Sequence, residues 1–245
     1  MSNPVKWLST FALTTILIAI SYQWLDRPIA FLAHEHVRSL GIFGPLARKV
    51  PELVPPLAAL ALIAVAIRAL AKRPLSHLEA TILLCGMSFF IAEGIKTYLK
   101  LAFGRTWPET WIYGNPSLID DGVYGFNPFH GGFGYTSFPS GHITAVCAVV
   151  SVLWSCYPKW RWSYLLLVLV ISVALVAANY HFLSDVIAGA YLGASVGWAA
   201  TTMWNEGIHS SPQRQAVAIE ENKAGSGVSD SAKPAEPRRS RHPQS

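Results

Sequence analysis

Charge is what this sequence has little of. Charged residues fill 13% of its 245 positions and hydrophobic residues 52%, whereas a typical soluble domain is about 25% charged. An ordinary water-soluble globule is thereby excluded. Cysteine is scarce as well: Cys85, Cys147 and Cys156 are odd in number, sit inside apolar runs and form no metal-like spacing. They read as small core residues. No clustered carboxylates or cysteines suggest a metal site. The net charge of +5 brings no basic stripe outside the C-terminal segment, so a nucleic-acid partner is excluded too.

What is present divides in two. From Asn205 onward, 41 residues hold 11 charged groups, 4 prolines, 7 serines and no aromatic ring, whereas residues 1–204 hold 22 charged groups. The first part reads as a membrane domain, 1–204, and the second, 205–245, as a disordered cytoplasmic tail. Six apolar runs, at about 7–24, 53–71, 79–99, 140–158, 162–180 and 186–204, are long enough for spanning helices. The expected fold is all-α: a six-transmembrane-helix bundle with a long extracytoplasmic loop, 101–139, between helices three and four. The first run lacks a small-residue cleavage site and is expected to be retained. The segment 25–52 is expected to hold an interfacial helix. Gly189, Gly193 and Gly197 recur at four-residue spacing, a ridge suited to close helix packing. Trp24, Trp107, Trp111, Trp160, Trp162 and Trp204 fall at predicted helix ends, as interfacial belts do.

Six spans place both termini on one side. A cytoplasmic assignment gives that side twelve basic residues against seven outside, in the sense of the positive-inside rule. The expected location is therefore the plasma (inner) membrane, with the tail cytoplasmic.

Three polar segments then converge on the extracytoplasmic face. They are Lys100 to Pro108 after helix three, Ser137 to His142 at the start of helix four, and Asn179 to Asp185 between helices five and six. His181 and Asp185 are four apart, which on a helix stacks them on one face. A carboxylate on one imidazole nitrogen leaves the other free as nucleophile or base. Ser140 and Gly141 precede a helix, where free N–H groups and the dipole favour an anion. His142 is positioned to protonate a leaving oxygen. Lys100 and Arg105 supply positive charge. The set describes a phosphate site with a histidine nucleophile and a histidine acid, needing no metal and no cofactor. Glu93 and Lys96, one turn apart, read as an intramembrane ion pair or, alternatively, as functional. Asp120 and Asp121 read as loop residues, as do His34, His36, His77 and His130 at loops or interfaces.

Pro139-Ser140-Gly141-His142 and His181-x3-Asp185, with Lys100 upstream, resemble the type 2 phosphatidic acid phosphatase superfamily, to which vanadium haloperoxidases also belong. The family pattern is Lys-x6-Arg-Pro, Pro-Ser-Gly-His and Ser-Arg-x5-His-x3-Asp. The resemblance covers about 96–190. It implies that His181 attacks phosphorus to form a phosphohistidine, that Asp185 orients it, that His142 protonates the leaving group, and that Ser140, Gly141 and Lys100 bind phosphate oxygens. It also implies a lipid phosphate or diphosphate as substrate, for instance phosphatidate, phosphatidylglycerol phosphate, polyprenyl diphosphate or lipid A, and membrane lipids as the surroundings.

Both arginines of the pattern are replaced here, by Trp107 and Leu175; Ala174 stands in place of the serine. Arg105, two positions before Trp107, is the expected substitute, acting on the phosphate and not on the fold. The reading is a metal-independent lipid phosphatase. The alternatives are a lipid phosphotransferase and, because the arginines are lost, a non-catalytic lipid-phosphate-binding or transport protein.

Overall fold

The computed structural model describes residues 4–37, 43–71, 74–111 and 114–209, with the side chains of 43–54, 69, 208 and 209 outside that description. The tail beyond 209 lies outside the described residues.

The described residues form eight α-helices in chain order: α1 Pro4–Ile20, α2 Asp26–His36, α3 Phe43–Leu70, α4 His77–Phe103, α5 Leu118–Asp121, α6 Gly141–Cys156, α7 Arg161–Ala177 and α8 Leu183–His209. The described residues contain no strand; isolated backbone bridges join Arg105 to Phe126 and Thr136, and Trp107 to Ser117. Each of the six apolar runs appears as helix. Among the described residues, four stretches are long and apolar enough to cross a membrane: Pro4–His36, His77–Phe103, Pro158–Ala177 and Leu183–Gly207. Pro55–Arg68 and Gly141–Cys156 are shorter apolar helices. Large apolar side chains face outward, among them Leu8 at 70% exposure, Leu166 at 61% and Trp162 at 82%. Such a surface is incompatible with water and suits lipid, so this is a membrane protein.

The helix boundaries have local causes. α4 opens on a capping box: Ser76 Oγ accepts from Glu79 N–H at 3.3 Å, and the Glu79 carboxylate accepts from Ser76 N–H at 2.9 Å. It stops at Gly104, which has φ +57° and donates to the Lys100 carbonyl. A Cβ at Gly104 would collide with the Asn127 carbonyl, so glycine is required there twice over. α1 and α2 are joined without a break by one π-helical turn, Ser21–Leu25. The expected stop near residue 25 does not occur: the chain stays helical through the π turn, a change of hydrogen-bond register just before Pro28. The segment 25–52, expected to hold an interfacial helix, is divided between α2, continuous with α1, and the start of α3. α8 continues to His209, five residues into the expected tail.

α4 packs against α3 and α6, and α7 against α2, α3 and α6. α8 lies along α6 through its glycine ridge. A Cβ at Gly189 would stand 2.5 Å from the Ser140 carbonyl oxygen and 2.6 Å from Ile143 Cγ2, and one at Gly193 or Gly197 would collide with α6 at Thr144 and Ser151. The ridge is a packing surface, as its spacing suggested. Cys147 is buried beside it, and all three cysteines are free.

Replacing Gly193 with leucine should destabilise the protein by at least about 1–3 kcal/mol through overpacking. Thermal unfolding in detergent should show a midpoint lower by several degrees. Gly94→Ala, where an added Cβ meets nothing within 4 Å, should unfold like the unmodified chain.

Candidate active site

The end of α4, the start of α6 and the turn between α7 and α8 meet around one cavity of about 190 Å³. It is lined by Glu93, Lys96, Lys100, Gly141, His142 and His181, with Trp107 and the apolar Pro55, Phe89 and Ala145. At about 30 Å³ per water, it has room for a phosphate group and its ester oxygen. A larger apolar groove of about 690 Å³, between Trp7, Trp154, Leu165 and Trp198, includes none of these residues.

His181 and Asp185 are not stacked along a helix. α8 begins after His181, and Asp185 lies in its first turn. Its carboxylate reaches back to accept from Phe182 N–H at 3.0 Å, and its Oδ2 stands 3.6 Å from His181 Nδ1. Ser137 closes the corner, donating from Oγ to Asp185 Oδ2 at 2.6 Å and standing 3.4 Å from His181 Nδ1. With Nδ1 turned to this pair, Nε2 is the nitrogen left for chemistry. His181 is 2% exposed. Burial disfavours its imidazolium more than Asp185 favours it, so its pKa lies below the ordinary value. The folded protein therefore carries a neutral imidazole at neutral pH.

His142 faces His181 across the cavity, with ring centroids 5.7 Å apart. Its Nδ1 and Ser140 Oγ are buried with no hydrogen-bond partner among the described residues. Ser140 N–H donates to the Asp185 carbonyl at 3.0 Å, which fixes the start of α6 to the start of α8. Lys100 Nζ donates to the Thr136 carbonyl at 2.6 Å.

Arg105 stands elsewhere. It is fully buried and does not line the cavity. Its Nη1 donates to Asp185 Oδ1 and Ser184 Oγ, both at 2.5 Å, and its Nη2 to Asp26 Oδ2 at 2.7 Å. Asp26 also accepts from Ser21 Oγ, Ser184 N–H and Ser184 Oγ. The rings of Tyr22, Tyr124, Phe126 and Phe182 surround the guanidinium, with centroids 4.4–5.4 Å from Cζ. Burial opposes the Arg105 charge, but Asp185 and Asp26 override it and raise its pKa further. Arg105 thus braces the carboxylate behind His181 and has no free fork to offer a phosphate. Burial in the same network pushes the Tyr124 phenol up.

The two arginine positions of the pattern hold packing residues. Leu175 is wholly buried with Ile143, Cys147, Tyr180 and Val186. Its carbonyl accepts from Tyr180 N–H at 2.9 Å and His181 N–H at 3.3 Å. Trp107 is half-buried and is not part of an interfacial belt: its Nε1 donates to the Phe133 carbonyl at 3.0 Å, and its ring centroid is 5.3 Å from that of His181. Trp111 Nε1 likewise donates inward, to the Asn179 carbonyl at 3.0 Å. Asp120 and Asp121 are engaged locally, accepting from Thr110 N–H at 2.8 Å and Ser117 N–H at 2.9 Å.

Sequence reasoning missed Asp26, Ser137, Ser184 and the cavity-facing position of Lys96. Asp26 follows the first apolar run beside Arg27 and looks interfacial; its partner is 79 positions away. A signal did exist for Lys96, since a charge within a spanning helix needs a polar neighbour.

Removing the Arg105 side chain leaves two buried carboxylates unpaired, which costs about 3–5 kcal/mol. Arg105→Ala should therefore lower the unfolding midpoint and the yield of folded protein, against the expectation that it acts on phosphate alone. His181 sets a pH dependence of stability. Its folded pKa is lowered, so below about pH 6.5 the unfolded chain takes up a proton that the folded chain refuses, and stability falls with pH. Melting from about pH 8 to about pH 5.5 should fall more steeply for the unmodified chain than for His181→Asn.

Comparison with known proteins bears on this geometry. A family model described as the PAP2 superfamily matches residues 81–208. The lipid A 1-phosphatase of Rhizobium etli is 33% identical over 104 residues, which are 42% of this chain and 40% of that protein. The lipid A 1-phosphatase of Rhizobium johnstonii is 34% identical over 100 residues, 41% of this chain and 38% of that one. The chain spans about two fifths of the length of these curated relatives. Among solved structures, the crystal structure of the first transmembrane PAP2 type phosphatidylglycerolphosphate phosphatase from Bacillus subtilis aligns with 84% of this chain and 98% of that one, at 18% identity and a TM-score of 0.45. Since the family model covers more than half of the sequence, with the Pro-Ser-Gly-His and His-x3-Asp segments inside it, the chain belongs to the PAP2 superfamily.

Proposed function

We propose that this protein is a metal-independent phosphatase of a membrane lipid phosphate or diphosphate, working through a phosphohistidine. The observation that carries the reading is the cavity between His181 and His142, with Asp185 and Ser137 against His181 Nδ1 and Lys100 on the wall. His181 Nε2 attacks phosphorus as the phosphorus–oxygen ester bond breaks. His142 gives its proton to the departing lipid oxygen. Asp185 holds the tautomer and offsets the positive charge that grows on His181. Lys100, Gly141 N–H and Ser140 bind the phosphoryl oxygens, the N–H groups of the first turn of α6 having no intrahelical acceptor. His142 then accepts a proton from water, which attacks the phosphohistidine and releases inorganic phosphate. A second lipid in place of that water makes the same site a phosphotransferase.

The site opens at one end of helices that suit a bilayer, which supports a substrate with its headgroup at the interface and its chains in lipid. We place the chain in the plasma (inner) membrane with six spans, the cavity extracytoplasmic and the tail cytoplasmic; the charge distribution of the loops supports this orientation. The names of the Rhizobium relatives put lipid A 1-phosphate first among the substrates to test. A second reading, non-catalytic lipid-phosphate binding or transport, is favoured by Trp107 and Leu175 at the arginine positions.

The deciding assay is inorganic phosphate release by the purified chain from lipid A 1-phosphate, phosphatidate, phosphatidylglycerol phosphate and polyprenyl diphosphate, with EDTA present. Turnover should survive EDTA, vanish in His181→Ala, and fall about 10²–10⁴-fold in His142→Ala. Denatured protein from a rapid quench should carry acid-labile phosphate on His181. Phosphate binding without release from any of the four lipids would select the second reading. Loss of turnover on chelation, restored by a divalent ion, would reject the metal-free step.

A further inference from the structure

We infer that Lys96 is the second cation of the phosphate site, standing in for the missing arginines, and that Glu93 holds it in reserve until an anion enters. The inference rests on reading the cavity as a phosphate site.

α4 carries Glu93, Lys96 and Lys100 at positions i, i+3 and i+7, on one helical face. A charge within a spanning helix is stable only against a polar cavity or a partner. Both conditions are met, since all three side chains line the cavity and Lys96 Nζ contacts Glu93 Oε2 at 2.5 Å. The Lys96 side chain is 15% exposed and that of Glu93 29%, so the pair sits at the wall and not in the open.

The position of Lys96 singles it out. A Cβ at Gly141 would stand 3.1 Å from Lys96 Nζ and 3.2 Å from its Cδ. The ammonium therefore lies over the first residue of α6, where an anion would meet the free N–H groups of the helix. Of the other cations of the region, Arg105 is committed to Asp26 and Asp185, while Lys100 lines the cavity and donates one hydrogen bond to the Thr136 carbonyl. A phosphoryl group in transfer spreads its charge over three oxygens, and Lys100 alone is one point charge. Lys96 adds the second.

Glu93 gives this cation a switch. Before an anion enters, Glu93 neutralises Lys96 and leaves Lys100 as the uncompensated cation among these three residues of the wall. An incoming phosphate competes with the Glu93 carboxylate for the ammonium, and after hydrolysis Glu93 recaptures it as inorganic phosphate departs. Glu93 thus positions Lys96 and sets a limit on how tightly the product is held.

The test is equilibrium binding of inorganic phosphate to the purified full-length protein in detergent, by isothermal titration calorimetry, beside lipid turnover. Glu93→Gln removes the competitor and should tighten phosphate binding about 3-fold or more. Adding Lys96→Met to Glu93→Gln removes the ammonium without leaving a lone carboxylate, and should weaken binding about 10-fold or more relative to Glu93→Gln. Lys96→Arg should stay within about 3-fold of the unmodified chain. Equal binding by Glu93→Gln and the double variant overturns the inference. Should the double variant fail to fold, Glu93→Gln decides alone, and unchanged or weaker binding overturns it. Absence of lipid turnover with the expected binding pattern rejects only the phosphatase reading, whereas normal turnover with phosphate binding indifferent to both residues rejects only this inference.

Discussion

The Arg105 guanidinium joins carboxylates from the two ends of the membrane domain, Asp26 and Asp185, and the geometry behind His181 follows from that junction. Asp185 could not stay buried and ionised without a counter-charge. Arg105 supplies one, but a single arginine between two carboxylates leaves the group of three with a net negative charge. Hydrogen bonds from Ser21, Ser137, Ser184 and the Phe182 N–H satisfy the remaining lone pairs. Four aromatic rings close over the guanidinium and keep water out. The Asp185 carboxylate is consequently fixed in place, and with it the orientation of the His181 ring.

Two jobs that an arginine is able to perform are thereby separated. Bracing the carboxylate needs a rigid planar fork, and Arg105 does this in a dry pocket. Contacting a mobile anion in a small cavity needs a cation that reaches and lets go, the role we propose for the lysines of α4. Of the residues at the two arginine positions, Trp107 lines the cavity and Leu175 is buried in the core. Leu175 fills the space between α6 and α7, and Trp107 lies beside the His181 ring, where it narrows the cavity and lowers its polarity.

Much of this was legible in the sequence. The apolar runs all appear within helices, because their length and composition leave few alternatives, but α3 starts ten residues before its run and the first run continues into α2. The run 79–99 becomes His77–Phe103, extended by the Ser76 cap at one end and Gly104 at the other. The glycine ridge packs as its period suggests. His142, His181, Asp185 and Lys100 meet because alternating helices bring their segments to one end. What was not legible is the partnership of Arg105. Its short-range context, next to a glycine and two residues before Trp107, fits a phosphate ligand as well as a brace. Only Asp26, placed by a π-helical turn at the far end of the chain, tells the two apart, and no local pattern encodes a contact over 79 residues. Lys96 was visible as an oddity in an apolar helix, but which side of α4 it faces depends on the packing against α6.

The spacing of the carboxylate–arginine junction along the chain has a consequence for synthesis. Asp26 belongs to the first apolar stretch, Arg105 follows α4, and Asp185 lies in the opening turn of α8. As helices enter the bilayer in order, the first aspartate and the arginine wait, exposed and incompletely paired, while the rest of the chain is made. The junction closes only when α8 has begun, because Ser184 and Asp185 supply its final members. Any chain released before that point lacks the anchor for its histidine and carries a half-paired charge at the membrane surface. The site is therefore complete only once the opening turn of α8 has been made, and a product cut short before it is marked by its own unsatisfied charges as unfinished.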